Sequence, residues 1–261
     1  MKQELLQKQE KFGIVQGEPQ NIMSLVKKTT NAAHCEEQES ESLKSFLASW
    51  DQSYQQQAEG IPIFDTMLTS QLNTEQVKHF IRLLYHQRAH FDDVLWYMGN
   101  FAPDAESKEM IIENIRDEMG KGGRSHESLY LDFAASMGVD LTDELLEEKY
   151  YLPFLKEYNH GHLKWFRDHD WSHRLTAFAA IERLDNLDYT NLKNTAESFG
   201  VEESKLLFFK VHMYVKHYES LEDSEFSTLW NDKHELVRDV FNFIGKYQID
   251  IWKRISKAVF N

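Results

Sequence analysis

The sequence predicts an all-α protein, and three observations support this fold class. The chain of 261 residues contains only 4 Pro and 11 Gly, so it has few of the residues that form turns. Leu, Glu, Lys and Gln, which favour helices, are abundant. In most segments, apolar residues recur every three or four positions, which is the period of an amphipathic helix.

Local signals place the helices of the first half of the chain. Asn73, which has an acidic residue in the first turn after it, and Ser125 are typical helix caps. Breaks are expected at 60–62, at Pro103 and at Gly138, because glycine and proline interrupt helices. The predicted helices therefore cover residues 39–58, 73–98, 104–119 and 126–138.

The second half gives the same kind of pattern. Thr142 and the acidic residues after it open a helix that runs to about Phe166, and Pro153 is expected to kink it. A segment rich in alanine follows, and Gly200 closes the helix after it. The predicted helices cover residues 142–166, 175–184, 186–199, 202–221 and a final stretch from 224 or 232 to 258.

Charge and composition exclude several classes of function. The formal net charge of −14 repels phosphate backbones and anionic bilayers, so we expect neither nucleic acid nor membrane as a partner. No apolar run approaches the roughly 18 residues of a membrane span, and the first residues lack a signal-peptide core. We therefore expect a soluble, cytoplasmic protein. The single cysteine, Cys35, excludes an internal disulfide and leaves histidine and carboxylates as metal ligands.

The length favours one domain with an appendage, because a single hydrophobic core grows to about 250 residues. Residues 1–38 are polar and show little periodicity, which predicts a flexible or loosely docked arm. Residues 39–261 are expected to form a single helical-bundle domain.

A candidate site lies at the joint between two predicted helices. Glu118 ends one helix, a glycine-rich break follows, and His126 opens the next helix after the cap Ser125. A carboxylate and an imidazole are thus brought together across a tight turn. For this pair alone, a solvated helix end with an exposed histidine is the simpler interpretation.

Other helices carry matching residues. Glu182 is the one acid in a mostly apolar run, and a buried carboxylate needs a partner or a metal ion. His212 and Glu219 are seven residues apart, on one face of a predicted helix. The two histidines and three carboxylates are a ligand set that suits iron or manganese, although the Glu-x-x-His spacing of ferritin-like proteins is missing. The other histidines, at positions 86, 90, 160, 162, 169 and 173, are interpreted as packing or surface residues.

The order of these motifs resembles the haem-oxygenase-like di-iron oxidases. The motifs are N-x-x-D-E-x-G with a following H-x-x-L, a lone Glu in an alanine-rich helix, and F-F-x-x-H, over roughly residues 61–219. The fold is shared with thiaminase-II-like proteins, the pyrroloquinoline quinone synthase and 4-aminobenzoate synthase relatives. The resemblance implies a haem-oxygenase-like bundle of about seven core helices.

The resemblance also implies a metal site and an activity. Its ligands would be Glu118, His126, Glu182, His212 and, in place of the family's histidine, Glu219. Lys216 stands where the family has an acid, so one iron, two or none are open alternatives. The implied activity is an O2-dependent oxidation, with Fe(II) as cofactor, of a small metabolite that bears an amine or a carboxylate. Tyr85 and Tyr214 are the aromatic residues expected near such a pocket.

Two other functions remain open from the sequence. A metal-free oxidase of the quinone-synthase type could use histidines and Lys216 to bind an anionic substrate. A non-catalytic helical module would need an exposed apolar face for a protein partner. A thiaminase-like hydrolase is disfavoured, because no cysteine lies in the helical body. The partner expected is a small-molecule substrate, and the sequence leaves a homodimer open.

Overall fold

Helices dominate the part of the chain that the structure describes. The computed structural model describes residues 41–214 and 225–261, and these ranges contain no strand. The prediction of an all-α protein is confirmed. The α-helices are α1 Leu43–Ala58, α2 Thr66–Thr69, α3 Thr74–Ala89, α4 Phe91–Asn100, α5 Ala105–Glu118, α6 His126–Ser136, α7 Thr142–Glu147, α8 Pro153–Asp168, α9 Trp171–Ser198, α10 Leu207–Tyr214 and α11 Glu225–Phe260, with 3-10 turns at Pro62–Phe64 and Glu203–Lys205.

Side-chain caps fix the beginnings of several helices. Asn73 accepts hydrogen bonds from the backbone N–H groups of Glu75 and Gln76, and the Gln76 side chain accepts from the Asn73 N–H. Ser125 accepts from the N–H of Ser128 in the same way. Such caps satisfy N–H groups that have no partner inside the helix. They explain why both helix starts could be predicted from sequence.

The helix boundaries near His90 and Pro153 were predicted wrongly. The helix expected over 73–98 is broken at His90, whose φ of −89° and ψ of 3° are not helical, so α3 and α4 are separate. Pro153 does not kink a long helix. It occupies the first turn of α8, where its missing N–H costs nothing, after Glu148 has ended α7 with a φ of +50°.

The segments expected over 175–184 and 186–199 form one continuous helix. Helix α9 has 28 residues and contains neither glycine nor proline. Helix α11 is instead bent at Lys233, where φ is −143°. The arm predicted over residues 1–38 lies outside the described residues.

The long helix α9 is at the centre of the bundle. It packs against α10 and α11, and its Phe178, Tyr189 and Leu192 are almost fully buried. Trp252 of α11 and Phe133 of α6 are buried in the same core. None of the helices described is long and apolar enough to cross a membrane.

Candidate metal centre

The turn between α5 and α6 places a carboxylate beside an imidazole. Helix α5 ends at Glu118, and the backbone turns through Gly120 with a φ of +88°. A Cβ at this glycine would lie 2.4 Å from the carbonyl oxygen of Arg124. Only glycine therefore fits this turn as it is built. The chain then reaches Ser125, whose cap starts α6 at His126.

Glu118 and His126 are in direct contact across this turn. Nδ1 of His126 lies 2.9 Å from Oε2 of Glu118. The two side chains are largely buried, with exposed fractions of 12% for the histidine and 17% for the glutamate. A solvated helix end with an exposed histidine is therefore not what the structure shows.

His212 joins this pair from α10, which packs against α6 and α9. Its ring centroid lies 4.4 Å from that of His126. Its Nδ1 lies 2.8 Å from the carbonyl oxygen of Phe208 and donates a hydrogen bond to it. That bond fixes the ring and makes Nε2 the nitrogen that can act as a ligand. The ring also stacks on Tyr189, with centroids 4.1 Å apart.

One donor atom from each of Glu118, His126 and His212 lies within 4.8 Å of the other two. Two imidazoles and one carboxylate that converge in this way suit a non-haem iron, because such ions take mixed nitrogen and oxygen ligands. The residues present therefore fit the metal that the sequence pattern suggests.

Glu182 lies near this group but is not part of it. It is 6% exposed on α9. Its pKa is raised well above the ordinary value, first by burial and then by the charges of Asp185 and Glu118. Burial of this kind favours the protonated carboxyl, whereas a cation close to it favours the carboxylate. Glu219 and Lys216 lie outside the described residues.

A pocket of about 100 Å³ opens at the three ligand candidates. Aromatic side chains form much of its wall, namely Tyr85, Phe91, Tyr130, Tyr189 and Phe208. Tyr85 was expected near such a pocket from the sequence, and its position in the wall agrees with this. Tyr214 is 76% exposed and does not line the pocket, so it is not one of its walls.

Asp92 is a pocket residue that the sequence reasoning missed. It reaches the pocket from α4. Its pKa is raised to about 6 by burial and then by the nearby charges of Glu118 and Glu127. The break at His90 changes the direction of the chain before α4. The sequence predicted one continuous helix here, and in such a helix Asp92 was not a candidate pocket residue. The one local signal was a pair of acids, Asp92 and Asp93, next to an apolar helix face.

Arg88 is a buried cation in the wall of the same pocket. It makes two hydrogen bonds to the Asp185 carboxylate, of 2.9 and 2.5 Å. Burial, the largest single effect, lowers the pKa of Arg88, but the charge of Asp185 and the hydrogen bonds to it, together with the neighbouring Tyr189 and Tyr158, raise this pKa well above its ordinary value. The pair is therefore ionised and neutral overall. The acids Glu118, Glu127 and Asp92 then leave the pocket with an excess of negative charge, which favours a bound cation.

Two of the other histidines, His86 and His169, behave as packing residues. His86 is 2% exposed and bonds through Nε2 to Glu144 at 2.8 Å. His169 stacks on Trp165, with ring centroids 4.0 Å apart. Neither belongs to a metal-binding group in the described ranges.

Comparison with known families agrees with this geometry. A family model described as an iron-containing redox enzyme matches residues 78–219. The chain belongs to this family of iron-containing redox enzymes. The matched range includes all three residues of the metal-binding group.

The fold of this family member is also found in a solved structure. A CADD-like protein of unknown function from Nostoc punctiforme PCC 73102 is similar, with a TM-score of 0.60 and 16% identity. The similarity covers 82% of this chain and 96% of the other. The predicted haem-oxygenase-like fold is thereby confirmed. A comparison with curated proteins gives no match.

Proposed function

We propose that this member of the family is an O2-dependent oxidase with Fe(II) held by Glu118, His126 and His212. The observation that carries the proposal is the convergence of three donor atoms, from α5, α6 and α10, within 4.8 Å. Glu182 is proposed as a further ligand, since a nearby cation would stabilise its carboxylate. Glu219, which lies outside the described residues, is also proposed as a ligand. The proposed number of bound iron ions is one or two.

The chain's own residues orient and enclose this site. The Phe208 carbonyl holds the tautomer of His212, and Tyr189 supports the same ring from its face. Aromatic side chains form much of the pocket wall and reduce its contact with bulk water. Bound ferrous iron would supply the electrons that activate O2. Burial favours the protonated form of Glu182, and a bound cation would favour its carboxylate.

The pocket charge favours an amine as the substrate group. Asp92 and Glu127 line the pocket and are not among the proposed iron ligands, so their negative charges remain available to a substrate. Arg88 does not offset them, because Asp185 already neutralises it. We therefore propose a small amine-bearing metabolite, ahead of a carboxylate-bearing one, as the molecule that is oxidised.

Anaerobic titration with Fe(II), followed by calorimetry and elemental analysis, tests the metal site. We expect one or two tightly bound ions in the full chain. His126→Gln should weaken binding at least tenfold, because it removes a ligand. His169→Gln is the matched control, since that histidine stacks on Trp165 outside the pocket. Equal affinities for both variants and for the unchanged chain would refute the site.

Oxygen reactivity tests the proposed activity. Chain loaded with Fe(II) should give an O2-dependent absorbance change, and Glu182→Ala should abolish it. Circular dichroism should show the same helix content for this variant and the unchanged chain, so that the loss of the reaction is not caused by unfolding. Tight Fe(II) binding without any reaction with O2 would keep the metal site and reject the oxidase.

A further inference from the structure

A second cavity shares Arg88 and Phe91 with the wall of the pocket at the candidate metal centre. It has a volume of about 30 Å³, and Arg88 and Asp185 line it together with Gln87 of α3 and His162 of α8. Gln87 is 5% exposed and His162 is 8% exposed. The metal ligand candidates do not line this cavity. We refer to it as the Gln87–His162 chamber.

Two polar atoms of the chamber lack hydrogen-bond partners among the described residues. They are Oε1 of Gln87 and Nε2 of His162. A buried polar atom without a partner costs roughly 1 to 3 kcal/mol, so native proteins nearly always satisfy such atoms. Two of them in the wall of one cavity indicate a ligand that bonds to both.

The other polar side chains of the chamber are already engaged. Asn159 donates to the His86 carbonyl oxygen and to the Tyr151 hydroxyl, at 2.8 and 3.0 Å. Gln248 donates to Asp188 at 2.8 Å and accepts from the Tyr158 hydroxyl. These groups cannot turn to Gln87 or His162 without breaking bonds of their own.

The charge of the chamber points to a neutral ligand. Burial, and then the charge of Arg88, lowers the pKa of His162 to about 3, so its ring is neutral at physiological pH. Gln87 is neutral, and the Arg88 and Asp185 charges cancel. An ion would find no net opposite charge, whereas a molecule that both donates and accepts hydrogen bonds fits.

We propose that the Gln87–His162 chamber is a second internal binding site, which takes two hydrogen-bonded water molecules. One buried water needs roughly 10 to 15 Å³ by the same measure, so about 30 Å³ holds two. One water would donate to Oε1 of Gln87, and the other would bond to Nε2 of His162. Both would also hydrate the Arg88–Asp185 pair, whose Arg88 lines both the chamber and the pocket at the candidate metal centre. This proposal does not depend on iron binding.

A crystal structure of the full chain near 1.5 Å resolution is the direct test. We expect two ordered waters, one 2.7 to 3.2 Å from Gln87 Oε1 and the other as close to His162 Nε2. Direct bonds from either atom to protein groups would overturn the proposal. Density for a larger molecule in the chamber would overturn it as well.

A nitrogen NMR measurement tests the same site in solution. Gln87→Met keeps the side-chain length and removes the amide, so one water loses its anchor. In protein labelled with ¹⁵N-histidine, the His162 Nε2 resonance should move toward the value of an unbonded ring nitrogen. Gln57→Met is the matched control, because Gln57 is exposed and bonds only within its own helix. Equal spectra for the two variants would refute the water link.

Discussion

Asp188 shows how a single buried residue organises part of the core. Its carboxylate accepts hydrogen bonds from Tyr54, Gln248 and Trp252, at 2.8, 2.8 and 2.7 Å. These bonds join α1, α9 and α11. Burial raises the pKa of Asp188 to about 6, although all three donors act in the opposite direction. The residue is 1% exposed, so this shift has a direct consequence for stability.

The first prediction concerns the pH dependence of unfolding. An unfolded aspartate titrates near pH 3.9, so between about pH 4 and 6 the folded chain binds more protons at Asp188 than the unfolded chain. Asp188 therefore makes its full contribution to the free energy of unfolding below about pH 4. This contribution falls by up to about 3 kcal/mol as the pH rises to about 6. Asp188→Asn removes this titration.

Urea unfolding at several pH values measures the effect. The free energy of unfolding of the unchanged chain minus that of Asp188→Asn should decrease from pH 4 to pH 6.5. The same change at the exposed Asp239 controls for the loss of one carboxylate. A difference that stays flat or grows with pH would contradict the prediction.

At the scale of elements, the turn between α5 and α6 sets the distance between two ligand candidates. Gly120 and Gly122 share a φ of +88°, but they differ in their surroundings. A Cβ at Gly120 would meet the Arg124 backbone, whereas a Cβ at Gly122 meets nothing within 4 Å. Substitutions at the two glycines therefore allow the cost of backbone strain to be measured separately from the cost of a steric clash.

The second prediction compares alanine at these two glycines. Gly122→Ala should cost about 1 to 2 kcal/mol of stability, which is the cost of a left-handed residue with a Cβ. Gly120→Ala should cost clearly more, because the backbone of the turn must move. That movement also separates Glu118 from His126, so Fe(II) affinity should fall at least tenfold in this variant alone. Denaturant unfolding and anaerobic Fe(II) titration measure both effects, and equal results for the two variants would contradict the argument.

At the scale of the whole molecule, the site joins helices that are distant in sequence. Glu118 and His126 come from neighbouring helices, while His212 comes from α10. An ion bound to all three would cross-link the folded chain and not the unfolded chain. Binding of this kind stabilises the native state in proportion to the logarithm of the ligand concentration.

The third prediction follows from this linkage. Anaerobic Fe(II) at a hundred times its dissociation constant should add about 2.7 kcal/mol of stability. For a chain of this size, that raises the melting temperature by about 5 to 10 °C. Mg²⁺ at the same concentration should give almost no shift, because it prefers oxygen ligands. His126→Gln should lose the shift with Fe(II), and an equal shift in this variant would place the ion elsewhere.

Much of the architecture could be predicted because it depends on neighbouring residues. The caps at Asn73 and Ser125 and the break before α6 are encoded within a few positions. The same local logic brought Glu118 and His126 together. It failed at His90 and at Pro153, where a turn and a short helix replace a continuous one. At those places, packing against other helices determines where a helix ends. The residues of a single segment do not encode that packing.

The sequence by itself determined the helical class, most helix starts and the contact between a carboxylate and an imidazole across one turn. Local hydrogen bonds, backbone sterics and the 3.6-residue period suffice for these features. Only the tertiary structure decided that Asp92 lines the pocket at the candidate metal centre, that Arg88 is neutralised by Asp185, and that Gln87 and His162 share a chamber. These features depend on the angles at which separate helices pack, and those angles result from contacts between surfaces far apart in the chain.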